Sequence, residues 1–215
     1  MPGPAFVVCG LRVGRAWFNG RMTNDEENRA PEAFDLAARD ADDALVRYWE
    51  SVRAKVKVSR AHVVTGPGVQ GTVPPPAFSF GDSPELADEL LGLVLTGRKT
   101  ATSTAMAELS DDEPAPRVGD LWIVLDGRER PRALIRTTSV TQVAFRDVTP
   151  AFAAAEGEGD GSLEHWRREH ERSWRRVLGD DAFGPDMLVL CETFELIDPS
   201  PAPTATPTPA PGDGA

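Results

Sequence analysis

The octapeptide GRKTATST, residues 97–104, sets Arg98 and Lys99 ahead of four hydroxyl side chains: Thr100, Thr102, Ser103 and Thr104. An ammonium beside hydroxyls can bind a phosphate, read a base or serve a nucleophilic attack. Lys99 in such a site acts either as a base, its pKa lowered by partial desolvation, or as a cation that stabilises an oxyanion or phosphorane. The same lysine also suits a plain helix end. It follows the apolar run LADELLGLVLT and Gly97, where a cation faces the negative end of the helix dipole. In that role alone, its removal costs at most about 1 kcal/mol. Strand alternation puts Thr100, Thr102 and Thr104 on one face and Ala101 and Ser103 on the other. Threonine is a good strand residue in its own right. Thr102 becomes a nucleophile only with a base in hydrogen-bond reach, which Lys99 supplies if the turn curls back. Arg98 and Ser103 are expected as substrate contacts.

A second acidic stretch, EGEGDG, interleaves Glu156, Glu158 and Asp160 with glycines. Carboxylates just before a helix favour its positive end, which accounts for Asp160 but not for Glu156, too far upstream. Glu156 is therefore read as an acid/base group or substrate anchor, with Glu158 and Asp160 beside the substrate. The glycines allow close backbone approach. The spacing lacks the calcium-loop pattern, so no cofactor is expected and a divalent cation is not favoured. Trp166, His170 and Trp174 fall in helical register, which usually marks core; Trp166 is also placed to stack on a base. Arg128, Arg130, Arg132 and Arg136 cluster around an expected hairpin. They form either a solvated edge or a track for phosphates, with Arg128 and Arg130 as the contacts.

The chain around these groups is acidic. Its 215 residues carry a net charge of −11. From Phe78 to Ile197, 13 Lys/Arg stand against 23 Asp/Glu. A nucleic-acid grip by bulk positive potential is excluded, so any contact with RNA is local or the substrate is small. No run of about 18 apolar residues occurs, so no membrane-spanning helix is expected. The first residues lack a basic n-region and a sustained apolar run. Cys9 and Cys191 suggest neither a disulfide framework nor zinc. The expectation is a cytoplasmic protein.

The elements that must hold the groups follow from periodicity. Residues 1–30 read as an irregular segment, with Met22 the expected initiator. Residues 31–77 hold a helix from Pro31 to about Val56, with Phe34, Ala38, Ala41, Leu45, Tyr48 and Val52 on one stripe, and then a Gly/Pro-rich connector. A second helix has Ser83 as N-cap, Pro84 at its first position and Gly97 just past its end. Strands follow over TATSTAM, LWIVLD, PRALIRTTSVTQVAF and DMLVLCETFELI. A helix capped by Ser162 and ended by Gly179 precedes the last of them. The tail, residues 198–215, is Pro/Ala/Thr-rich and is expected to be extended. The fold class is α+β around a small mixed sheet or barrel.

Several of these stretches together resemble the ASCH domain, a PUA-like β-barrel family associated with RNA. They are Phe80-Gly81-Asp82, GRKTAT, VGDLWIVLD and VAFRDVTPAFAAAEGEGDGSLEHWRREH, spanning residues 78–197. The N-terminal helix fits a longer bacterial subgroup that carries the EGEGD motif. The resemblance implies a small PUA-like barrel with flanking helices and an extra N-terminal helix. It also implies one of two hydrolytic activities. Longer EGEGD-bearing relatives look like ribonucleases for single-stranded RNA. Small members are amidohydrolases of N4-acetylcytidine that use Lys, Thr and Glu, roles that fall by motif on Lys99, Thr102 and Glu156. Ser103 and Thr104 depart from the small group's pattern.

The expected function is hydrolysis of single-stranded RNA, with Lys99, Thr102 and Glu156 as catalytic residues. The alternatives are the N4-acetylcytidine amidohydrolase and a binding module without chemistry. The expected partner is single-stranded RNA or a small nucleoside, not DNA and not a membrane.

Overall fold

The structure, a computed structural model, describes residues 7–8, 11–13, 32–56, 73–109 and 115–199. Met22, the connector from 57 to 72 and the tail from 200 onward lie outside the described residues. In chain order the elements are β1 (Val7–Val8), β2 (Leu11–Val13), α1 (Glu32–Val52), β3 (Ala77–Ser79), α2 (Pro84–Leu95), β4 (Ala101–Ala105), β5 (Leu121–Leu125), β6 (Pro131–Ala144), α3 (Pro150–Glu156), α4 (Leu163–Leu178) and β7 (Leu188–Pro199). They form an α+β fold with one mixed sheet, in the order β1-β2-β3-β5-β6-β7-β4. β3 runs parallel to β5 and every other neighbouring pair is antiparallel. The segment expected to be irregular, 1–30, thus contributes the short hairpin β1–β2, paired to β3. β3 itself lies in the stretch read as connector. It is only three residues long, too short for alternation to declare it.

Curvature comes from β6 and β7. These two long strands change register between Leu134 and Ile135 and again between Thr137 and Ser139. Such bulges bend a strand and increase its twist, so β3 to β7 wrap into a half-barrel. Three packed regions hold it. α2 lays Leu90, Leu91 and Val94 on Phe78, Phe80, Val124, Ile135 and Phe194. α1 lays Tyr48, Trp49 and Val52 on Ile123, Leu125 and Leu134. Lys55, just beyond α1, reaches Asp198 at 2.5 Å. The third region joins α3 and α4 to the far end of the sheet, with Trp166, Trp174 and Phe145 against Ala105, Val189 and Cys191. Each large apolar side chain fully buried this way stabilises the fold by about 1.5–3 kcal/mol. Among the described residues no helix is long and apolar enough to cross a membrane.

The hairpin turn between β5 and β6 is organised by one carboxylate. Asp126 is 1 % exposed. It accepts from the backbone N–H groups of Arg128 (2.9 Å) and Arg130 (3.0 Å), from Arg130 Nε (2.9 Å) and from Arg132 Nη1 (3.2 Å). Burial alone would raise its pKa. The hydrogen bonds from Arg130, Arg128 and Arg132 outweigh that and hold it below the ordinary value. A depressed carboxylate contributes stability above its unfolded pKa, and that contribution is lost as pH falls through the folded value. Asp126→Asn is therefore expected to cost about 1–3 kcal/mol at neutral pH. The gap to wild type should close only below about pH 4. Thermal melts at pH 7 and at about pH 2 check this; an equal gap at both would show that the charge of Asp126 is not what holds the turn.

Candidate functional site

Two helix ends meet at the site. α2 begins at the N-cap Ser83, whose Oγ accepts from Leu86 N at 3.2 Å, and ends with Gly97 in the left-handed region at φ 73°. The backbone then turns back on the helix: the N–H groups of Arg98 and Lys99 both donate to Leu93 O, at 2.9 and 3.0 Å. α3 went unread in the sequence because PAFAAAE is too short to show periodicity, yet its start carries a signature. Thr149 caps it, accepting from Phe152 N at 3.2 Å, and Pro150 occupies its first turn. Glu156 is its last residue and Gly157 leaves it at φ 70°. Thr100 N donates to Ala155 O at 2.7 Å, joining the end of α3 to the start of β4. A side chain at 157 has no room, since a Cβ there would lie 2.3 Å from Arg98 O.

This junction buries a lysine and a glutamate together. Lys99 and Glu156 are each 1 % exposed. Lys99 Nζ lies 3.2 Å from Glu156 Oε2 and 2.6 Å from Glu158 Oε1, and 5.2 Å from the centroid of the Phe80 ring. Glu156 Oε1 accepts from Ser103 Oγ at 2.6 Å and Trp166 Nε1 at 2.7 Å. His170 Nε2 stands 3.8 Å from the same oxygen, while its Nδ1 lies 2.9 Å from Trp166 O. Glu158 is the looser partner, with 28 % of its side chain exposed.

Electrostatics correct one expectation. Burial, the largest single influence, would lower the Lys99 pKa, but Glu156 and Glu158 together outweigh it and raise it above the ordinary value. Lys99 is an ammonium and not a neutral base. Glu156 is the mirror case. Burial would raise its pKa, yet Lys99, His170, Ser103 and Trp166 hold it low. With its acceptor sites so engaged, it is an anchor more than a free acid or base.

The remaining expected residues divide. Ser103 belongs to the cluster through Glu156. Thr102 does not: it lies on the other face of β4, and among the described residues no hydrogen bond joins it to Lys99 or Glu156. Its partner in register on β7 is Glu192. Arg98 is exposed at the rim, with Nη2 3.5 Å from Gly157 O. Asp160 is exposed and accepts from Ser162 N at 2.8 Å, closing the entry to α4 and not reaching Lys99. Trp166 is no stacking platform. It is 3 % exposed, stacked against both Phe145 and His170, with centroids at 5.4 and 4.2 Å. Arg128 and Arg130 sit on the Asp126 turn. Gly127 N of that turn donates to Asp88 Oδ1 at 2.8 Å, near the start of α2. Lys99 leaves the other end of this helix, on the order of 15 Å along its axis. Arg130 and Arg132 are engaged with Asp126.

Sequence reasoning missed His170, Phe80 and Glu192 as neighbours of the site. His170 sits one turn after Trp166, a spacing that reads as core. Glu192 was detectable as a lone carboxylate inside the apolar run LVLCETF. Among the described residues no group of three or more His, Cys, Asp and Glu side chains is arranged to hold a metal ion.

Comparison with known proteins agrees with this architecture. The family model of the ASCH domain matches residues 76–198. The chain is similar to the crystal structure of an ASCH domain from Lactobacillus crispatus JV V101, at 32 % identity and a TM-score of 0.53, over 56 % of this chain and 78 % of that one. It is also similar to a protein of Enterococcus faecalis V583, at 31 % identity and a TM-score of 0.61, over 76 % of this chain and 99 % of that one. No curated protein matches it. With the family model covering more than half its length, the chain belongs to the ASCH domain family.

Proposed function

We propose that this ASCH protein hydrolyses single-stranded RNA at the Lys99 cluster. The observation that carries the reading is the ammonium of Lys99, buried and held charged, with one fully engaged carboxylate and one loosely engaged carboxylate against it. A phosphodiester needs a cation where charge builds on its oxygens and a base for the attacking 2′-hydroxyl. Lys99 supplies the first. Glu158, partly exposed and bound only through Lys99 among the described contacts, supplies the second. The 2′-oxygen attacks phosphorus, Glu158 takes its proton, and the 5′-oxygen leaves with a proton from water, giving a 2′,3′-cyclic phosphate. Arg98 at the rim holds a neighbouring phosphate. The amidohydrolase reading has less support, because it asks for a neutral lysine beside Thr102.

Labelled single-stranded RNA incubated with the full chain tests the proposal. The expected products are a 2′,3′-cyclic phosphate and a 5′-hydroxyl end, formed also in the presence of EDTA. Binding without cleavage would leave only a binding module, and release of acetate from N4-acetylcytidine would restore the amidohydrolase.

Two variants separate chemistry from folding. Glu158→Gln removes the base but leaves the Lys99–Glu156 pair, so cleavage should fall by about a hundredfold or more while the melt stays close to wild type. Lys99→Ala strips a buried carboxylate of its cation and should cost about 3–5 kcal/mol. That is well above the loss expected of a lysine that only faces a helix dipole. A melt within about 1 kcal/mol of wild type would show that the pair is not buried as described.

A further inference from the structure

A second polar group lies on the opposite face of β4. Antiparallel pairing sets Thr102 directly across from Glu192, and strand alternation turns both side chains away from the face that Ser103 shows to Glu156. Directly opposed residues have Cβ atoms about 4.5–5.5 Å apart. Glu192 is 7 % exposed and Thr102 is 6 % exposed. Thr137 on β6 is the hydroxyl that favours the ionised form of Glu192, and Asp120 at the start of β5 is the charged neighbour that acts against it. Asp120 itself accepts from Arg117 N at 2.8 Å. No Lys, Arg or His pairs with Glu192 among the described residues. The Thr102 side chain makes no hydrogen bond among the described residues.

A buried carboxyl with hydroxyls and no cation for neighbours has acceptor capacity to spare, and Asp120 deepens its need for donors. Burial first and Asp120 second push its pKa up to about 7, against the bond from Thr137. The occupant that relieves this cost offers N–H groups. Two carboxylate oxygens best match two adjacent, parallel N–H donors. Among nucleobases that is the N1–H and N2–H2 edge of guanine. Cytosine and adenine set a ring lone pair beside their amino group, and uracil flanks its N–H with carbonyls. β4 is the terminal strand of the sheet, and Lys99 precedes Thr102 by three residues at its start, about 10 Å along an extended chain, so one nucleotide spans the two with phosphate near Lys99 and base against Thr102.

We propose that Glu192, with Thr102 and Thr137, forms a base-recognition subsite selective for guanine. The proposal rests on the RNA reading above but is measured without turnover. Calorimetric titration of the full chain at pH 8 would compare guanosine, inosine, cytidine and uridine 3′-monophosphates. The guanosine nucleotide is expected to bind about tenfold or more tightly than the others, inosine included because it lacks N2. Glu192→Gln should bring the four together. Equal affinities in wild type, absence of guanosine nucleotide binding, or discrimination that survives in Glu192→Gln would each overturn the subsite.

The variant is expected to fold. A raised carboxyl pKa means that ionisation costs stability as pH rises from the ordinary glutamate value, near 4.3, to the folded one. Glu192→Gln should therefore melt above wild type at pH 8 and beside it at pH 4. RNA cleavage without base preference would sink the subsite and leave the ribonuclease standing; selective guanosine nucleotide binding without cleavage would do the reverse.

Discussion

The contact between Lys99 and Glu156 is the constraint on which the rest of the domain's far end depends. Removing two charges from water costs several kcal/mol each, recovered only with good geometry and further hydrogen bonds. Every nearby element is recruited to that end. α2 ends so that Lys99 turns inward, α3 ends on Glu156, β4 contributes Ser103, and α4 contributes Trp166 and His170. The indole that looks like a recognition surface in sequence is thus a donor to a buried carboxylate. Its stacking on Phe145 and His170 fixes that donor in place. Buried pairs of this kind are weak devices for stability and strong ones for geometry. Here the geometry set is that of a buried cation between two carboxylates.

β4 separates two kinds of chemistry because a strand shows alternate residues to opposite sides. On one side Ser103 meets a carboxylate held ionised by a lysine. On the other, Thr102 faces a carboxylate whose pKa is pushed up to about 7, with no cation beside it among the described residues. Two glutamates of equal intrinsic acidity are driven apart by surroundings alone. The run of hydroxyls in TATST is then not redundant, because consecutive residues serve different partners.

The fold was largely legible because its periodic and punctuated elements announce themselves. α2 and α4 showed stripes and caps at Ser83 and Ser162 that the structure bears out, and the α1 stripe does so at Tyr48 and Val52, while the side chains of Phe34 and Ala38 lie outside the described residues. The four long strands stood between recognisable turns. What escaped was short: β3 and α3 hold too few residues for periodicity, and the hairpin β1–β2 carries almost none. The site divided on the same physical line. Lys99, Glu156 and Glu158 were found by motif and do converge. Their protonation was not readable, since it depends on which carboxylates surround the lysine after folding. The partner of Thr102 was hidden because cross-strand register couples positions 90 residues apart. Around the hairpin, the engagement of Arg130 and Arg132 was hidden because Asp126 reads in sequence as one more acidic residue in an acidic chain.

Net charge poses the last question, since a chain at −11 is an unpromising binder of a polyanion. The cluster itself carries one lysine against two glutamates, so long-range attraction contributes little. In the proposed reaction this balance favours the transition state over the bound substrate. While Glu158 is ionised, it occupies Lys99 at 2.6 Å and draws on its field. When Glu158 takes the 2′-hydroxyl proton, it becomes neutral at the moment negative charge builds on the phosphoryl oxygens. The ammonium, still held by Glu156 on its buried side, then faces the phosphate with less competition. An interaction that strengthens only as the reaction proceeds accelerates chemistry, whereas one present from the start would only tighten binding. In that reaction an acidic protein works on RNA with little electrostatic grip, provided that the buried ammonium of Lys99 is released by the same proton transfer that begins the reaction.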